Sequence, residues 1–433
     1  MVKSTVLENG LQIVTERIPE FRSCTLGIWI GTGSRHEQES EAGTSHFLEH
    51  LLFKGTSTRS AYDIAKTMDG VGGQLNAFTE KERTCYYARV MADHVTLAVD
   101  LLVDMVAHSL LDPAEVEREK GVILEEIKMF EDSPDDQVAH HFTRRVWARH
   151  ALGRPIIGTR QVVAGMSREL LLEYMQRRYR TSNIMVAAAG QVDHDLLVGE
   201  VKRRSDQLLQ GATSQTLTPP ASSRRSVVYF KDCEQVYVCY GCPGLSAIDP
   251  RRYQMMVLDS VLGGSMSSRL FQEIREKRGL VYSVGTFQNS YRDCGLFGIY
   301  AGTGSDRVEQ VIDITRDILT DIRNHGITDE ELSRAKELLK GNLALAMEST
   351  SARMLRLARS VFYHGRLVPI GEVLSEVEKT DHENIRALAD WLLDIDNYSL
   401  AVLGPVESVD GISAQPVESL SSVDQAAFCG GRS

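Results

Sequence analysis

The hydrophobic and polar positions of this chain form the same series of patterns twice. Each half opens with the alternation typical of a half-buried strand, at residues 11–18 and 226–232. Apolar residues at helical spacing follow in both halves, at residues 94–111 and 307–324. Further strand patterns lie at residues 72–80, 84–91 and 294–303. The order of these elements predicts a degenerate internal duplication of one unit built from strands and helices.

A stretch rich in Pro, Ser and Thr, residues 211–225, separates the two halves and has the composition of a linker. We therefore predict an N-terminal domain over residues 1–210 and a homologous C-terminal domain over residues 226–404. Residues 405–433 are rich in Ser, Gly and acidic side chains and are predicted to form a mobile tail. The predicted fold class is α+β, with two α/β-sandwich domains in which an antiparallel-rich sheet packs against helices.

The composition is that of a globular protein, since 42% of the 433 residues are hydrophobic and 25% are charged. No apolar run approaches the roughly 18 residues that span a membrane, and the N-terminus lacks the apolar stretch of a secretory signal. The expected location is the bacterial cytoplasm, with an organelle matrix as the alternative. The net charge of −11 comes without a block of Lys and Arg, which argues against nucleic acid as a partner. An acidic protein favours basic peptides, although solubility alone also accounts for the charge.

Seven cysteines, an odd and scattered set, argue against a disulfide framework and for a reducing compartment. Cys239 and Cys242 form a C-x-x-C pair, but no second pair follows at the spacing of a zinc ribbon. The surrounding residues predict a buried strand. We interpret both cysteines as structural rather than as a redox or metal pair.

The run His46-Phe47-Leu48-Glu49-His50 lies in a helical pattern. Residues three and four apart share one face of a helix, so both imidazoles and the carboxylate of Glu49 project from the same side. Imidazoles are common ligands of catalytic zinc, and the H-x-x-E-H order is that of an inverzincin. The alternative is a pair of surface histidines that flank a glutamate on an amphipathic helix.

A catalytic zinc site usually has a third protein ligand, and residues 112–132 are a candidate source of one. Asp112 followed by proline satisfies the preferences for the start of a helix. Glu119 and Glu126 are seven residues apart and share a face, while Glu125 points about 100° away. The apolar residues predicted to seat this helix on the sheet are Val122, Ile123 and Ile127. Acidic residues on a helix are also explained by a solvated face, so spacing alone leaves the third ligand open.

Five sequence blocks carry a resemblance to a known family. They are HFLEHLLFKGT, NAFTEKERTCYY, EREKGVILEE, LGRPIIGT and YRTSNIMVAAAGQV, in this order. With these blocks the chain resembles the pitrilysin / mitochondrial processing peptidase family of zinc metallopeptidases. The resemblance covers nearly the whole chain except the tail, and no metal position departs from the pattern of the family. It implies a hydrolase, a zinc metalloendopeptidase with one zinc ion per chain.

The resemblance implies a role for each residue of the metal site. The third zinc ligand falls on Glu126, in addition to His46 and His50. A carboxylate that orients a histidine ligand falls on Glu119. Glu49 is the catalytic residue, which accepts a proton from water and passes it to the leaving amine.

The resemblance also implies substrate-binding residues in both halves. Asn76, Ala77 and Phe78 match an edge strand that pairs with the main chain of the substrate. Arg278 and Tyr282 match a pair that binds substrate near the scissile carbonyl. Taken alone, this pair is also explained as a charge at a helix C-terminus and an aromatic residue in a strand.

A chain of this length resembles one half of a clamshell that closes around a chamber. This implies a homodimer, or a heterodimer with a paralogue, in which Arg278 and Tyr282 reach the zinc site of the partner. Such a chamber admits unfolded peptides or presequence-like segments. Two alternatives remain open: a structural subunit of a respiratory-type complex, and a peptide-binding partner of another peptidase with little activity alone.

Overall fold

The computed structural model describes residues 1–213 and 217–417, and two six-stranded sheets form the centres of two domains. The first sheet contains β1 (Val2–Val6), β2 (Gln12–Arg17), β3 (Ser23–Ile30), β4 (Gln74–Thr79), β5 (Thr84–Met91) and β6 (Ile184–Gly190). The second contains β7 (Val227–Phe230), β8 (Val236–Gly244), β9 (Val281–Ser290), β10 (Gly295–Thr303), β11 (Ser399–Gly404) and β14 (Gln415–Pro416). Two short strands, β12 (Ser408–Val409) and β13 (Ile412–Ser413), precede β14 and are not part of this sheet.

Five of the six strands in each sheet have the same topology. Their strand orders are β1-β2-β6-β3-β5-β4 and β14-β7-β11-β8-β10-β9, so the last five strands of each order correspond one to one. Within these five, the pairs β2–β6 and β7–β11 are parallel and all other neighbours are antiparallel. The predicted α+β class is confirmed, and the duplication inferred from the order of elements is visible in the strand order.

Helices cover both sheets. Those of the N-terminal half are α1 (Thr44–Leu51), α2 (Ala61–Asp69), α3 (Val95–His108), α4 (Pro113–Asp132), α5 (Pro134–Trp147), α6 (Arg160–Ala164), α7 (Arg168–Arg178) and α8 (His194–Ser205). Those of the C-terminal half are α9 (Arg252–Leu262), α10 (Val308–His325), α11 (Asp329–Ala346), α12 (Thr350–His364), α13 (Ile370–Lys379) and α14 (His382–Leu392), and a π-helical segment covers Phe271–Glu276. None of the helices in the described ranges is long and apolar enough to cross a membrane.

Two helices cross from one half of the chain to the sheet of the other. Helix α12 packs on the outer face of the first sheet, where Met354, Leu357 and Val361 contact the cluster that contains Trp29 and Met185. The residues of α5 that pack on the second sheet are Val138, Phe142, Val146 and Trp147. Because the sheets are covered on both faces, inner strands such as β3 and β6 are almost entirely buried. The division at residues 210 and 226 therefore separates the sheets but not these two helices.

Residues 1–213 alone are expected not to form a stable monomer, because they lack the helix that covers Trp29 and Met185. Each large apolar side chain that becomes exposed costs about 1.5–3 kcal/mol, against a total stability of about 5–15 kcal/mol. Size-exclusion chromatography checks this after expression of residues 1–213 alone and together with residues 214–433. Only the co-expressed pair should elute as a soluble complex, and a monomeric fragment that unfolds cooperatively would contradict the packing described here.

The segment after residue 404 is ordered as far as it is described. Strand β14 extends the second sheet beside β7, and Val409 of β12 is fully buried in the core of the second domain. This differs from the prediction of a tail that starts at residue 405, because Val409 and Ile412 provide apolar anchors within the polar stretch. The rest of the predicted tail, residues 418–433, lies outside the described residues.

The C-x-x-C pair lies on β8, where both thiols are buried and free. Burial raises the pKa of Cys239 and of Cys242 to about 12, so both thiols stay protonated at neutral pH. A thiol in this state is a poor nucleophile and a poor metal ligand. These surroundings agree with a structural role.

Candidate metal centre

Helix α1 carries the H-x-x-E-H motif on one face. Its opposite face is buried in the core of the first domain through Phe47, Leu48 and Leu51. His46, Glu49 and His50 remain partly exposed on the other side, as the spacing of three and four residues predicts. The rings of His46 and His50 are 4.8 Å apart between centroids and meet edge to face.

Helix α4 provides the second wall of the site. It begins as predicted, with the Asp112 side chain accepting a hydrogen bond from the backbone N–H of Ala114 at 2.8 Å. Ile123 and Ile127 are fully buried and seat the helix in the core. The prediction for Val122 is wrong, since this residue is 42% exposed. It lies one position before Ile123, about 100° around the helix, and therefore faces solvent.

Three ligand atoms from the two helices converge on one point. Oε2 of Glu126 is 3.7 Å from Nε2 of His46 and 3.7 Å from Nε2 of His50. The candidate ligand atoms of the three residues all lie within 4.8 Å of one another. This is the one group of three or more His, Cys, Asp or Glu side chains in the described ranges with the geometry to hold a metal ion.

The convergence fits a zinc ion. Ligands about 2.0–2.1 Å from a tetrahedral ion lie about 3.4 Å from one another, close to the two distances from Glu126. With the imidazoles neutral, the three atoms present lone pairs to each other, an arrangement that a cation between them stabilises. Two histidines and one carboxylate are also a known ligand set of catalytic zinc in peptidases.

The outer nitrogen of His50 is held by a buried carboxylate. Nδ1 of His50 lies 3.1 Å from Oε2 of Glu119, whose side chain is almost completely buried. The N–H donor on Nδ1 leaves the lone pair on Nε2, which faces Glu126. The predicted orienting role of Glu119 is thus compatible with its position. The corresponding atom of His46, Nδ1, is buried without a hydrogen-bond partner in the described part of the chain.

Glu49 lines a cavity of about 250 Å³, and His50 is the candidate ligand that lines it as well. Burial raises the pKa of its carboxyl group, and the nearby charge of Glu126 adds to this, while a hydrogen bond with Thr79 and the charge of His50 act in the opposite direction. A raised pKa brings a carboxylate closer to neutral pH, where it can both accept and release a proton. The other residues that line the cavity are His50, Phe53, Lys54, Asn76, Ala77 and Glu119.

Burial has a large effect on the pKa of His46. It lowers the pKa of the imidazole to about 4, and the charge of His50 acts in the same direction. His46 is therefore neutral at physiological pH. A neutral imidazole is the form that binds a metal ion, so no proton has to leave His46 first.

The free energy of unfolding of the zinc-free protein is expected to fall as the pH is lowered from about 6.5 towards 4. Unfolded His46 takes up a proton near its ordinary pKa of 6.5, whereas the folded residue stays neutral down to about pH 4. The unfolded state therefore binds more protons in this window, and one group changes the free energy by up to about 1.4 kcal/mol per pH unit. Urea unfolding with a chelator compares the wild type with His46→Gln. The variant should depend less steeply on pH, and parallel curves would exclude this contribution.

Strand β4, which contains the predicted substrate-binding segment, is the edge strand of the first sheet next to the cavity. Asn76 and Ala77 line the cavity. Phe78 instead packs edge to face on Trp29, with ring centroids 5.4 Å apart, and its ring is not part of the cavity wall. An edge strand has unpaired main-chain groups along one side, so β4 has the position that main-chain pairing with a peptide requires.

Arg278 and Tyr282 lie in the second domain, and neither lines the cavity of the metal centre. Arg278 forms an ion pair of 2.6 Å with Glu273. Tyr282 is 75% exposed at the start of β9, the edge strand that corresponds to β4, and Arg275 lies 5.8 Å from the centroid of its ring. The structure therefore brings together the residues predicted in the first domain, but not these two.

Two residues with a clear structural role at this site escape prediction from the motif. The buried Glu37 accepts backbone hydrogen bonds from Gly43 at 2.8 Å and Ser45 at 2.7 Å, and so caps the start of α1 from outside the helix. Lys54 lies 2.7 Å from Glu119. Helical spacing does not point to Lys54, because α1 ends at Leu51, and no local pattern points to Glu37.

Comparison with known proteins places these features in a family. Residues 12–160 match insulinase (peptidase family M16), and residues 165–339 match the peptidase M16 inactive domain. A solved structure of a peptidase M16 inactive domain from Pseudomonas fluorescens has the same fold, with a TM-score of 0.89 at 19% identity, over 96% of this chain and 100% of that one. A protease from Helicobacter pylori gives a TM-score of 0.86 at 20% identity, over 94% and 99% of the two chains.

Relatives with higher identity extend over almost the full length. The protein YmxG of Bacillus subtilis, named an uncharacterized zinc protease, is 40% identical over 405 residues, which cover 94% of this chain and 98% of YmxG. An uncharacterized zinc protease of Streptomyces coelicolor is 42% identical over 414 residues, which cover 94% of this chain and 90% of that protein. These matches confirm the resemblance found in the sequence blocks. The chain belongs to the insulinase family of peptidases, peptidase family M16.

Proposed function

We propose that this protein is a zinc-dependent endopeptidase that hydrolyses peptide bonds of unfolded peptides or presequence-like segments. The observation that carries the proposal is the convergence of His46, His50 and Glu126, with Glu49 beside them in a cavity that adjoins an edge strand. Membership of family M16 and the names of the relatives as zinc proteases support it.

Each side chain of the site has a separate role in the proposed hydrolysis. His46, His50 and Glu126 would hold a zinc ion, which would supply a Lewis acid at this position when bound. Glu49 accepts the proton of the attacking water and transfers it to the leaving amine. Glu119 keeps His50 oriented through Nδ1. The main chain of β4 at Asn76 and Ala77, next to Phe78, holds the peptide in an extended form.

We further propose that the active form is a homodimer or a heterodimer with a paralogue, which encloses the substrate in a chamber. Two observations support this. Arg278 and Tyr282 do not line the metal cavity of their own chain, and Tyr282 is highly exposed, so that it is accessible to another chain. In a dimer these residues would bind substrate at the zinc site of the partner. We keep the bacterial cytoplasm as the proposed location, and the bacterial sources of the relatives support the bacterial part of this proposal.

Sharing of sites between subunits predicts complementation. A mixture of Arg278→Ala and Glu49→Gln subunits is expected to recover part of the activity that each variant lacks, because one of the two sites in a mixed dimer is intact. Activity is measured after subunit exchange has been demonstrated with differently tagged chains. Proven exchange without any recovery would contradict sharing between subunits.

The test of the proposed function is cleavage of a quenched fluorescent basic peptide by the purified chain, with and without a chelator. We expect cleavage that the chelator abolishes and added zinc restores, and slower cleavage of an acidic peptide of the same length. Zinc binding without cleavage by the lone chain would favour the second candidate, a peptide-binding or structural subunit with little activity alone. We consider this second candidate because residues 165–339 match a domain that is described as inactive.

A further inference from the structure

Lys54 contacts the buried carboxylate that holds His50, one of the three candidate metal ligands. It lies in the turn after α1, where its backbone N–H donates to the carbonyl oxygen of Leu51 at 3.0 Å. Its Nζ is 2.7 Å from Oε1 of Glu119, and Oε2 of the same carboxylate is 3.1 Å from Nδ1 of His50. We propose that Lys54 is a positioning residue of the metal centre, which fixes the Glu119 carboxylate that orients His50. This inference rests on the function proposed above.

The burial of Glu119 explains why a second partner is needed. Its side chain is only 3% exposed, and a buried carboxylate is stable only when its charge is paired and its oxygens are hydrogen-bonded. Lys54 and His50 each engage one of the two oxygens. A carboxylate held at a single oxygen can rotate about its terminal torsion, whereas two contacts fix its plane. The fixed plane in turn directs Nε2 of His50 towards Glu126.

The competing role for Lys54 is a direct contact with the substrate, because its side chain lines the cavity beside Asn76 and Ala77 and is 34% exposed. The ion pair with Glu119 favours positioning. An ammonium group that turned towards a peptide would leave a buried carboxylate unpaired, and breaking a buried pair in this way is strongly destabilising. The two roles differ in what they change: positioning affects zinc affinity, and substrate contact affects KM.

The experiment measures the zinc dissociation constant of Lys54→Met and Lys54→Arg by competition with a chromophoric chelator. Removal of an outer partner of a metal ligand costs about 10–100-fold in affinity, and Lys54 acts one contact further out. We expect zinc binding about tenfold weaker in Lys54→Met and largely recovered in Lys54→Arg. The control is Lys379→Met, which removes a lysine from an exposed ion pair with Glu376 and should leave zinc affinity unchanged.

A double-mutant cycle tests whether Lys54 acts through Glu119. In the Glu119→Gln background, Lys54→Met should weaken zinc binding no further. An equal loss in both backgrounds, or a raised KM with unchanged zinc affinity, would overturn the proposal. Thermal unfolding of the zinc-free variants shows whether the fold is kept, and Lys54→Gln replaces Lys54→Met in the cycle if the latter unfolds. A wild type that binds no zinc would instead refute the proposed function, so the two failures are distinguishable.

Discussion

Glu49→Gln is expected to lower the rate of peptide hydrolysis by about 10²–10⁴-fold, the range attributed to a positioned acid–base group, while zinc stays bound. The amide of glutamine has the same size as the carboxyl group but does not accept a proton at neutral pH. Glu49 shares the exposed face of α1 with His46 and His50, yet it is not one of the three converging ligands. The substitution therefore removes the proton acceptor without removing a metal ligand.

The surroundings of Glu49 suit a group that accepts and then releases a proton. Burial raises the pKa of this carboxyl group, which shortens the interval between its pKa and neutral pH. The partners that act in the opposite direction, Thr79 and His50, keep the carboxylate form available. We therefore expect the residual rate of Glu49→Gln to depend less on pH than the rate of the wild type.

The measurement is kcat for a quenched fluorescent peptide, together with the zinc content of each protein by atomic spectroscopy. Glu39→Gln is the matched control, since it makes the same change at an exposed glutamate shortly before α1. The control should keep both its rate and its zinc. A Glu49→Gln protein with the rate of the wild type would remove Glu49 from the mechanism, and one without zinc would assign it to the metal site instead.

The sequence predicts the parts of the site that follow local rules. Helix α1 and the start of α4 come from residue spacing and from the cap at Asp112, and the structure has both. The face shared by Glu119 and Glu126 follows from the same rules, but their separate roles do not. Spacing alone explains both as part of a solvated face, so their assignment depends on the resemblance to the family.

Features that depend on contacts between distant parts of the chain are not predictable in this way. The covering of each sheet by α5 or α12 joins residues from different halves, and no local period encodes it. The cap on α1 from Glu37 and the ion pair between Lys54 and Glu119 likewise arise only after the chain has folded. Val122 shows that an apolar side chain alone is not enough to predict burial. Its angle on the helix points to solvent, and the residue is exposed.

Glu126→Gln is expected to weaken zinc binding by more than about 100-fold and to abolish hydrolysis at low zinc concentration. Outer partners of metal ligands alone account for about 10–100-fold, and Glu126 is a direct ligand in the proposed site. The substitution removes the negative charge and leaves a neutral amide oxygen at the point where His46 and His50 converge. Competition with a chromophoric chelator gives the affinity, and peptide cleavage at increasing zinc concentration gives the activity.

The neighbouring Glu125 provides a matched control for this prediction. It is exposed and lies about 100° around α4 from Glu126, so Glu125→Gln changes the net charge of the helix equally without touching the site. If Glu126 acts as a ligand, only Glu126→Gln loses zinc, and a large excess of zinc restores part of its activity. Equal losses in both variants would mean that the general negative charge of α4, and not a bond from Glu126, attracts the metal ion. Two histidines of α1 would then hold it without a ligand from α4.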